Sequence, residues 1–198
     1  MSDLIFYTNP QSRGRTARFM LEELGVPYET VILGYDGDMK TPEYLAINLM
    51  GKVPTIRHGD RIVTEVAAIC AYLADAFPEA GLAPAHDDRA DYYRWLFFAA
   101  GPVESAIMDN YRKLEPDAEQ QVMIGYGTFS RTIAALDVAV GKNTWIAGDR
   151  FSAADVYAGS QIDWPMKFGM LEPTPGLVAY VERLRARPAY IRAAEIDG

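Results

Sequence analysis

The sequence predicts an α/β domain followed by an all-α domain, on three observations. Short apolar runs alternate with helical periodicity as far as Phe77, a Pro/Gly/Ala stretch follows, and beyond it no segment reads as a strand. At 198 residues and 49% hydrophobic content the chain has enough apolar mass for two packed cores. The boundaries expected are residues 1–78 for the first domain, 79–87 for a linker within PEAGLAPAHDD, and 88–198 for the second.

Leu4-Ile5-Phe6-Tyr7 is the first strand. Residues 13–24 set Ala17, Met20, Leu21 and Leu24 on one helical face, closed by Gly25. Residues 27–32 read as a second strand, and TPEYLAIN as a short helix with Thr41 as N-cap and Pro42 at its first position. Residues 54–57 and 61–63 flank His58-Gly59-Asp60 as a hairpin, and Val66, Ile69, Cys70, Leu73 and Phe77 form the stripe of a further helix. This order builds a small mixed sheet covered by helices.

In the second domain, residues 92–111 are strongly apolar with a bend expected at Gly101-Pro102. Residues 120–140 are periodic, and 152–165, 174–186 and 188–195 complete the helices. Phe151-Ser152-Ala153-Ala154-Asp155-Val156 combines a capping box, Ser152 with Asp155, and a hydrophobic staple, Phe151 with Val156. Asp155 is therefore expected to be a buried helix-start residue and not a catalytic acid.

Composition excludes several classes of function. A net charge of −8 with no basic stripe beyond Arg13, Arg15 and Arg18 argues against nucleic acid as a partner. Cys70 is the single cysteine and the histidines, His58 and His86, are far apart, so neither a dithiol centre nor a metal site is expected. With no run of about 18 apolar residues and an acidic Met1-Ser2-Asp3 start, the expectation is a cytoplasmic protein without a membrane span or leader. Gly125-Tyr126-Gly127 lacks the rest of a dinucleotide motif and is read as helix packing. Asp36-Gly37-Asp38 is read as a turn, and Cys70 as an apolar filler.

Three short segments carry candidate chemistry. Ser12 stands at the mouth of the first helix, where it either caps the helix or donates to an anion held there; no base beside it makes it a nucleophile. Val53-Pro54 precedes a strand: a trans bond is favoured on the dipeptide alone, whereas a cis bond would turn the Val53 backbone outward to pair with an extended peptide. Thr64-Glu65-Val66 opens a helix, whose first N–H groups suit a carboxylate while Glu65 suits an ammonium; the alternative is a Glu set against the helix dipole. Met108, Tyr111, Trp164, Met166 and Phe168 are candidates for an apolar pocket or for core. Tyr92, Tyr93, Trp95, Phe97 and Phe98 exceed what one core face needs and suit an interface.

NPQSRGRTARFMLEELGVPYE, GKVPTIRHGDRIVTEVAAICAYLADAFP and FSAADV, in this order and spacing, resemble blocks of the cytosolic glutathione transferases, closest to bacterial members whose first helix begins with serine. The resemblance covers nearly the whole chain. It implies a thioredoxin-like N-terminal domain, an all-helical C-terminal domain and a homodimer. It also implies glutathione as co-substrate, no metal, and detoxifying transfer to a small hydrophobic electrophile. Val53 would pair with the cysteinyl backbone beside a cis Pro54, Glu65 would bind the γ-glutamyl ammonium, and the N–H of Val66 its carboxylate. Lys52 or Lys40 would neutralise the glycine carboxylate. Ser12 would stabilise the thiolate, with Tyr7 as rival donor and Asn9 as a third candidate, and Met108, Tyr111, Trp164 and Phe168 would line the acceptor pocket. The family pattern has Ser or Thr where this chain has Val66. The alternatives are a glutathione-dependent peroxidase or disulfide reductase, and a non-catalytic relative; QSRGRTAR lacks the serine- and cysteine-rich start of the isomerases.

Overall fold

A computed structural model describes residues 3–198, so Met1 and Ser2 of the acidic start lie outside the described residues. The chain divides into two units, one of Met1–Gly81 with Arg187–Gly198 and the other of Leu82–Ala186.

The first unit runs β1 (Leu4–Thr8), α1 (Gly14–Leu24), β2 (Glu29–Ile32), α2 (Pro42–Leu45), β3 (Thr55–His58), β4 (Arg61–Thr64) and α3 (Val66–Ala76), with α10 (Pro188–Asp197) from the end of the chain. Its sheet has the order β2-β1-β3-β4, with β1 parallel to β2 and antiparallel to β3. The second strand begins two residues later than its apolar pattern suggests, after Pro27 and Tyr28. Alternation along β1 buries Leu4, Phe6 and Thr8 and leaves Ile5 and Tyr7 half-buried. Phe6 lies under the Arg18 guanidinium of α1. Ala17, Met20 and Leu21 of α1 and Ile69, Cys70 and Leu73 of α3 are buried, as the stripes require. Gly25 closes α1 in the left-handed conformation at φ +66°, where a Cβ would be strained.

Helix α10 packs on α1 through buried Arg18 and Asp197, paired at 2.7 Å, and through Arg187 and Arg192, which reach Glu23 and Glu22. Burial pushes the Asp197 carboxyl up against the pull of Arg18. Burial and a hydrogen bond to Glu22 push the neighbouring Tyr28 hydroxyl up to about 12.

The second unit is helical: α4 (Ala90–Phe98), α5 (Glu104–Tyr111), α6 (Ala118–Met123), α7 (Phe129–Lys142), α8 (Ala153–Lys167) and α9 (Pro175–Arg185). The bend expected at Gly101-Pro102 is a π-helical segment, Ala99–Val103, joining α4 to α5; Pro102 cannot donate an N–H within it. The periodic stretch 120–140 is not one helix. It breaks between α6 and α7, and Gly125-Tyr126-Gly127 lies in that connection with Gly127 at φ +66°, so the expectation of helix packing there is corrected. Of the α4 aromatics, Tyr92 and Trp95 enter the core, while Tyr93 and Phe97 stay exposed.

Ser152 and Asp155 form the capping box at the start of α8. The Asp155 carboxylate is fully buried and takes four donors: the Ile146 N–H at 2.7 Å, the Tyr180 hydroxyl at 2.8 Å, and the Ser152 N–H and hydroxyl at 2.9 and 3.1 Å. Among the described residues no helix is long and apolar enough to cross a membrane, and no cluster of three or more metal-ligating side chains occurs.

Candidate active site

Strand register assembles the site. Tyr7 lies opposite Thr55, and Thr55 opposite Thr64, so the end of β1, the start of β3 and the end of β4 stand side by side. The segments that continue from those ends carry the sequence candidates: Asn9 to Arg13 after β1, Lys52 to Pro54 before β3, and Glu65-Val66 after β4. Three segments lying between Asn9 and Val66 in sequence are thereby brought to one edge of the sheet, at the N-termini of α1 and α3.

In the turn after β1 the Ser12 hydroxyl donates to the Asn9 carbonyl at 2.7 Å and accepts the Gly14 N–H at 2.9 Å. Ser12 thus caps the first N–H of α1 with its oxygen while its proton is held by the turn. Gly14 is required: a Cβ there would stand 1.9 Å from Thr8 Oγ1 and 2.9 Å from Ser12 Oγ. Asn9 is engaged by the turn, its amide donating to the Leu33 carbonyl and its oxygen accepting the Gln11 N–H. Tyr7 faces the other side of the sheet from Phe6, with its ring 5.7 Å from that of Tyr44.

The Val53–Pro54 bond is cis. Among the described residues neither the N–H nor the C=O of Val53 has a protein partner, although the segment before it is held on several sides. Lys40 Nζ donates to the Met50 and Gly51 carbonyls at 3.0 and 2.8 Å, so it is a strut of this loop, whereas Lys52 is exposed.

Glu65 has φ +65° and ψ +118°, a conformation that costs a non-glycine residue of order 1–3 kcal/mol and that surrounding structure must enforce. It is the N-cap of α3, yet its side chain makes no capping bond. The first-turn N–H groups of α3 are therefore uncapped by any side chain, with an exposed carboxylate beside them. That pairing suits a zwitterion: the N–H groups for its carboxylate, Glu65 for its ammonium.

Cys70 is fully buried in α3, and burial raises its thiol well above the ordinary range, so the chain offers no thiolate of its own. In the second unit Tyr111, Trp164 and Phe168 are exposed and Met108 half-buried; the Trp164 and Phe168 rings lie 4.7 Å apart. A groove of about 490 Å³ between α4 and α7, lined in part by Arg94, Trp95, Ala135, Val138 and Lys142, involves none of these four.

The sequence reading missed Tyr44, Asn48 and Thr55, three buried polar residues whose hydrogen bonds converge on the Lys52 carbonyl and on one another. Asn48 in INLMGKVP, a polar residue ahead of a Gly-containing loop, was the available signal.

The family described as glutathione S-transferase, N-terminal domain, matches residues 12–76, and the one described as glutathione S-transferase, C-terminal domain, matches residues 95–188. The Escherichia coli (strain K12) glutathione S-transferase GstB is 30% identical to this chain over 85% of it and 86% of that protein. Glutathione S-transferase GST-4.5 of Xanthomonas campestris is 28% identical over 97% of this chain and 98% of its own. Among solved structures, the theta class glutathione S-transferase of Xanthomonas axonopodis pv. citri, with glutathione bound, superposes with a TM-score of 0.81 at 30% identity, over 98% of both chains. Both halves of the chain and the order of its elements thus agree, and the chain belongs to the glutathione S-transferase family.

Proposed function

We propose that the sheet edge described above binds glutathione and that Ser12 stabilises its thiolate for attack on a small hydrophobic electrophile. The observation that carries this reading is the unused hydrogen-bonding capacity of the edge: the free backbone of Val53 next to an uncapped α3 start with Glu65 beside it. An extended cysteinyl residue would pair with the Val53 N–H and C=O as an added strand does. The γ-glutamyl ammonium would meet Glu65 and its carboxylate the N–H of Val66. Lys52 is the better counter-charge for the glycine carboxylate, since Lys40 already serves two carbonyls.

The sulfur would then lie near the N-terminus of α1, whose dipole favours an anion. For Ser12 to donate to it, the hydroxyl turns away from the Asn9 carbonyl, giving up one bond worth about 1 kcal/mol for a bond to a charged acceptor worth about 1.5–3 kcal/mol. The exchange is favourable, and it makes Ser12 a donor and never a nucleophile. The thiol proton leaves to solvent; the sulfur lone pair forms the new C–S bond, and the leaving group departs with its electron pair. Met108, Tyr111, Trp164 and Phe168 are the residues proposed to hold the electrophile, supported by the exposed Trp164–Phe168 ring pair. A cytoplasmic homodimer belongs to the same proposal, supported by Tyr93 and Phe97, exposed on α4.

The test is the ultraviolet absorbance of the bound thiolate, titrated from about pH 5 to 9 around the free-thiol value of about 8.5. A midpoint well below that value is expected for wild type, and Ser12→Ala should raise it by about one unit. A rise in Tyr7→Phe with none in Ser12→Ala would transfer the role to Tyr7. An unshifted wild-type midpoint would favour a non-catalytic binding protein.

A further inference from the structure

The loop Leu49–Lys52, which leads into Val53, is almost without apolar anchorage. Leu49 is 89% exposed and Met50 63%. Burial therefore cannot fix its position, and polar contacts must.

Lys40 holds the Met50 and Gly51 carbonyls, and the contacts on the Lys52 carbonyl itself form a closed ring. Asn48 Nδ2 donates to the Lys52 carbonyl at 2.9 Å and to Thr55 Oγ1 at 3.1 Å; the Tyr44 hydroxyl donates to the same carbonyl at 2.6 Å and lies 3.0 Å from Thr55 Oγ1. Since the single Tyr44 proton goes to Lys52, the Thr55 hydroxyl gives its own to Tyr44, and every donor in the ring is used. Asn48 Oδ1 takes the Met50 N–H at 3.0 Å. Tyr44, Asn48 and Thr55 are at most 7% exposed, and burial raises the Tyr44 hydroxyl, which keeps its proton. Buried and satisfied, the ring holds the carbonyl one residue before the free Val53 peptide.

We propose that Asn48 and Tyr44 are positioning residues for glutathione: they fix the Lys52 carbonyl so that Val53 meets the cysteinyl backbone already oriented. Neither touches the ligand. The inference rests on the glutathione reading above. Its consequence is a defect confined to binding, since ordering a slack loop at the moment of binding subtracts from affinity while the bound complex reacts as before.

The experiment compares Asn48→Ala, Asn48→Asp and Tyr44→Phe with wild type. Affinity for S-methylglutathione, which has no thiol to titrate, is measured by calorimetry, together with KM, kcat and the bound-thiol midpoint with glutathione. Leu73→Ala, a cavity in the α3 core, is the stability control. Affinity should fall about tenfold in Asn48→Ala and severalfold in Tyr44→Phe, with kcat and the thiol midpoint unchanged. Asn48→Asp keeps the shape but loses the donors, and should bind no better than Asn48→Ala. Wild-type affinity in these variants, or an equal loss in Leu73→Ala, would overturn the positioning role. Failure of wild type itself to bind S-methylglutathione or glutathione would overturn the glutathione reading and this inference together.

Discussion

Each unit buries a polar cluster, and the two clusters end differently. Around Asp155 in the second unit, both carboxylate oxygens take two donors each, from Ile146, Tyr180 and Ser152, and nothing is left over for a ligand. Around Lys52 in the first unit, the ring of Tyr44, Asn48 and Thr55 is equally complete, but the next peptide, that of Val53, has neither of its groups used. A closed cluster is a fastener. One that ends beside an unpaired strand-like peptide is suited to hold the proposed binding surface in place.

Removing the fastener should have the largest effect. Asp155→Ala orphans two buried N–H groups and two hydroxyls at once, and should cost about 3–5 kcal/mol in denaturant unfolding while leaving S-methylglutathione affinity intact in the folded fraction. A specific loss of affinity at unchanged stability would break the contrast between the clusters. The same carboxyl gives a pH signature. Burial pushes it up to about 6 from an ordinary 3.8, outweighing the four donors. The folded chain therefore holds a proton that the unfolded chain has released between about pH 4 and 6. The group's contribution is complete below about pH 4 and is lost as pH rises through 6. Relative to non-titrating Asp155→Asn, wild type should lose on the order of 2–3 kcal/mol across that window. A flat difference between the two proteins would show that the donors cancel burial, and a wild type that gains stability as pH rises would show that they outweigh it.

On the binding side stability and function should part in the opposite sense. Glu65 holds φ +65°, which glycine adopts freely. Glu65→Gly should leave stability unchanged or raise it by up to about 1 kcal/mol, yet weaken glutathione binding at least tenfold, because the γ-glutamyl ammonium loses its proposed charged partner. A variant that is less stable and binds normally would mark Glu65 as a structural cap.

The sequence made the fold legible because its signals are local. Strand and helix periods alternate only in the first 77 residues, Gly25 and Thr41-Pro42 punctuate helices, and Ser152 with Asp155 lies within one turn. The three candidate segments stand out in the sequence for the same reason, each being a short motif at an element's end, and the register of β1, β3 and β4 places them side by side. What stayed hidden is non-local. The partners of Asn48 and Tyr44 lie 4 to 11 positions away across a loop with no period, and α10 joins the first unit through Arg18–Asp197, 179 positions apart. The α4 aromatics were read by composition, which cannot tell Trp95, taken into the core, from Phe97, left outside. Gly125-Tyr126-Gly127 was misread because a glycine in a close helix contact and one at φ +66° look identical in sequence.

The smallest effect is expected at Val66, where the chain departs from the Ser or Thr of the family pattern. Val66 is the first residue of α3 and half-buried, so its backbone N–H stands at the proposed carboxylate site whatever its side chain. Threonine matches valine in branching and carries a hydroxyl in place of one methyl, and a hydrogen bond from it to a charged carboxylate is worth about 1.5–3 kcal/mol. Part of that is offset because the hydroxyl also gives up water in the free protein, which leaves a gain near the lower figure, or about tenfold in affinity. Val66→Thr should therefore bind S-methylglutathione more tightly than wild type, with the thiol midpoint unchanged because the substitution is remote from the sulfur in the ligand's own covalent frame. Equal affinities in a side-by-side titration would mean that the α3 N–H groups alone satisfy the carboxylate. The site would then have lost nothing by carrying valine.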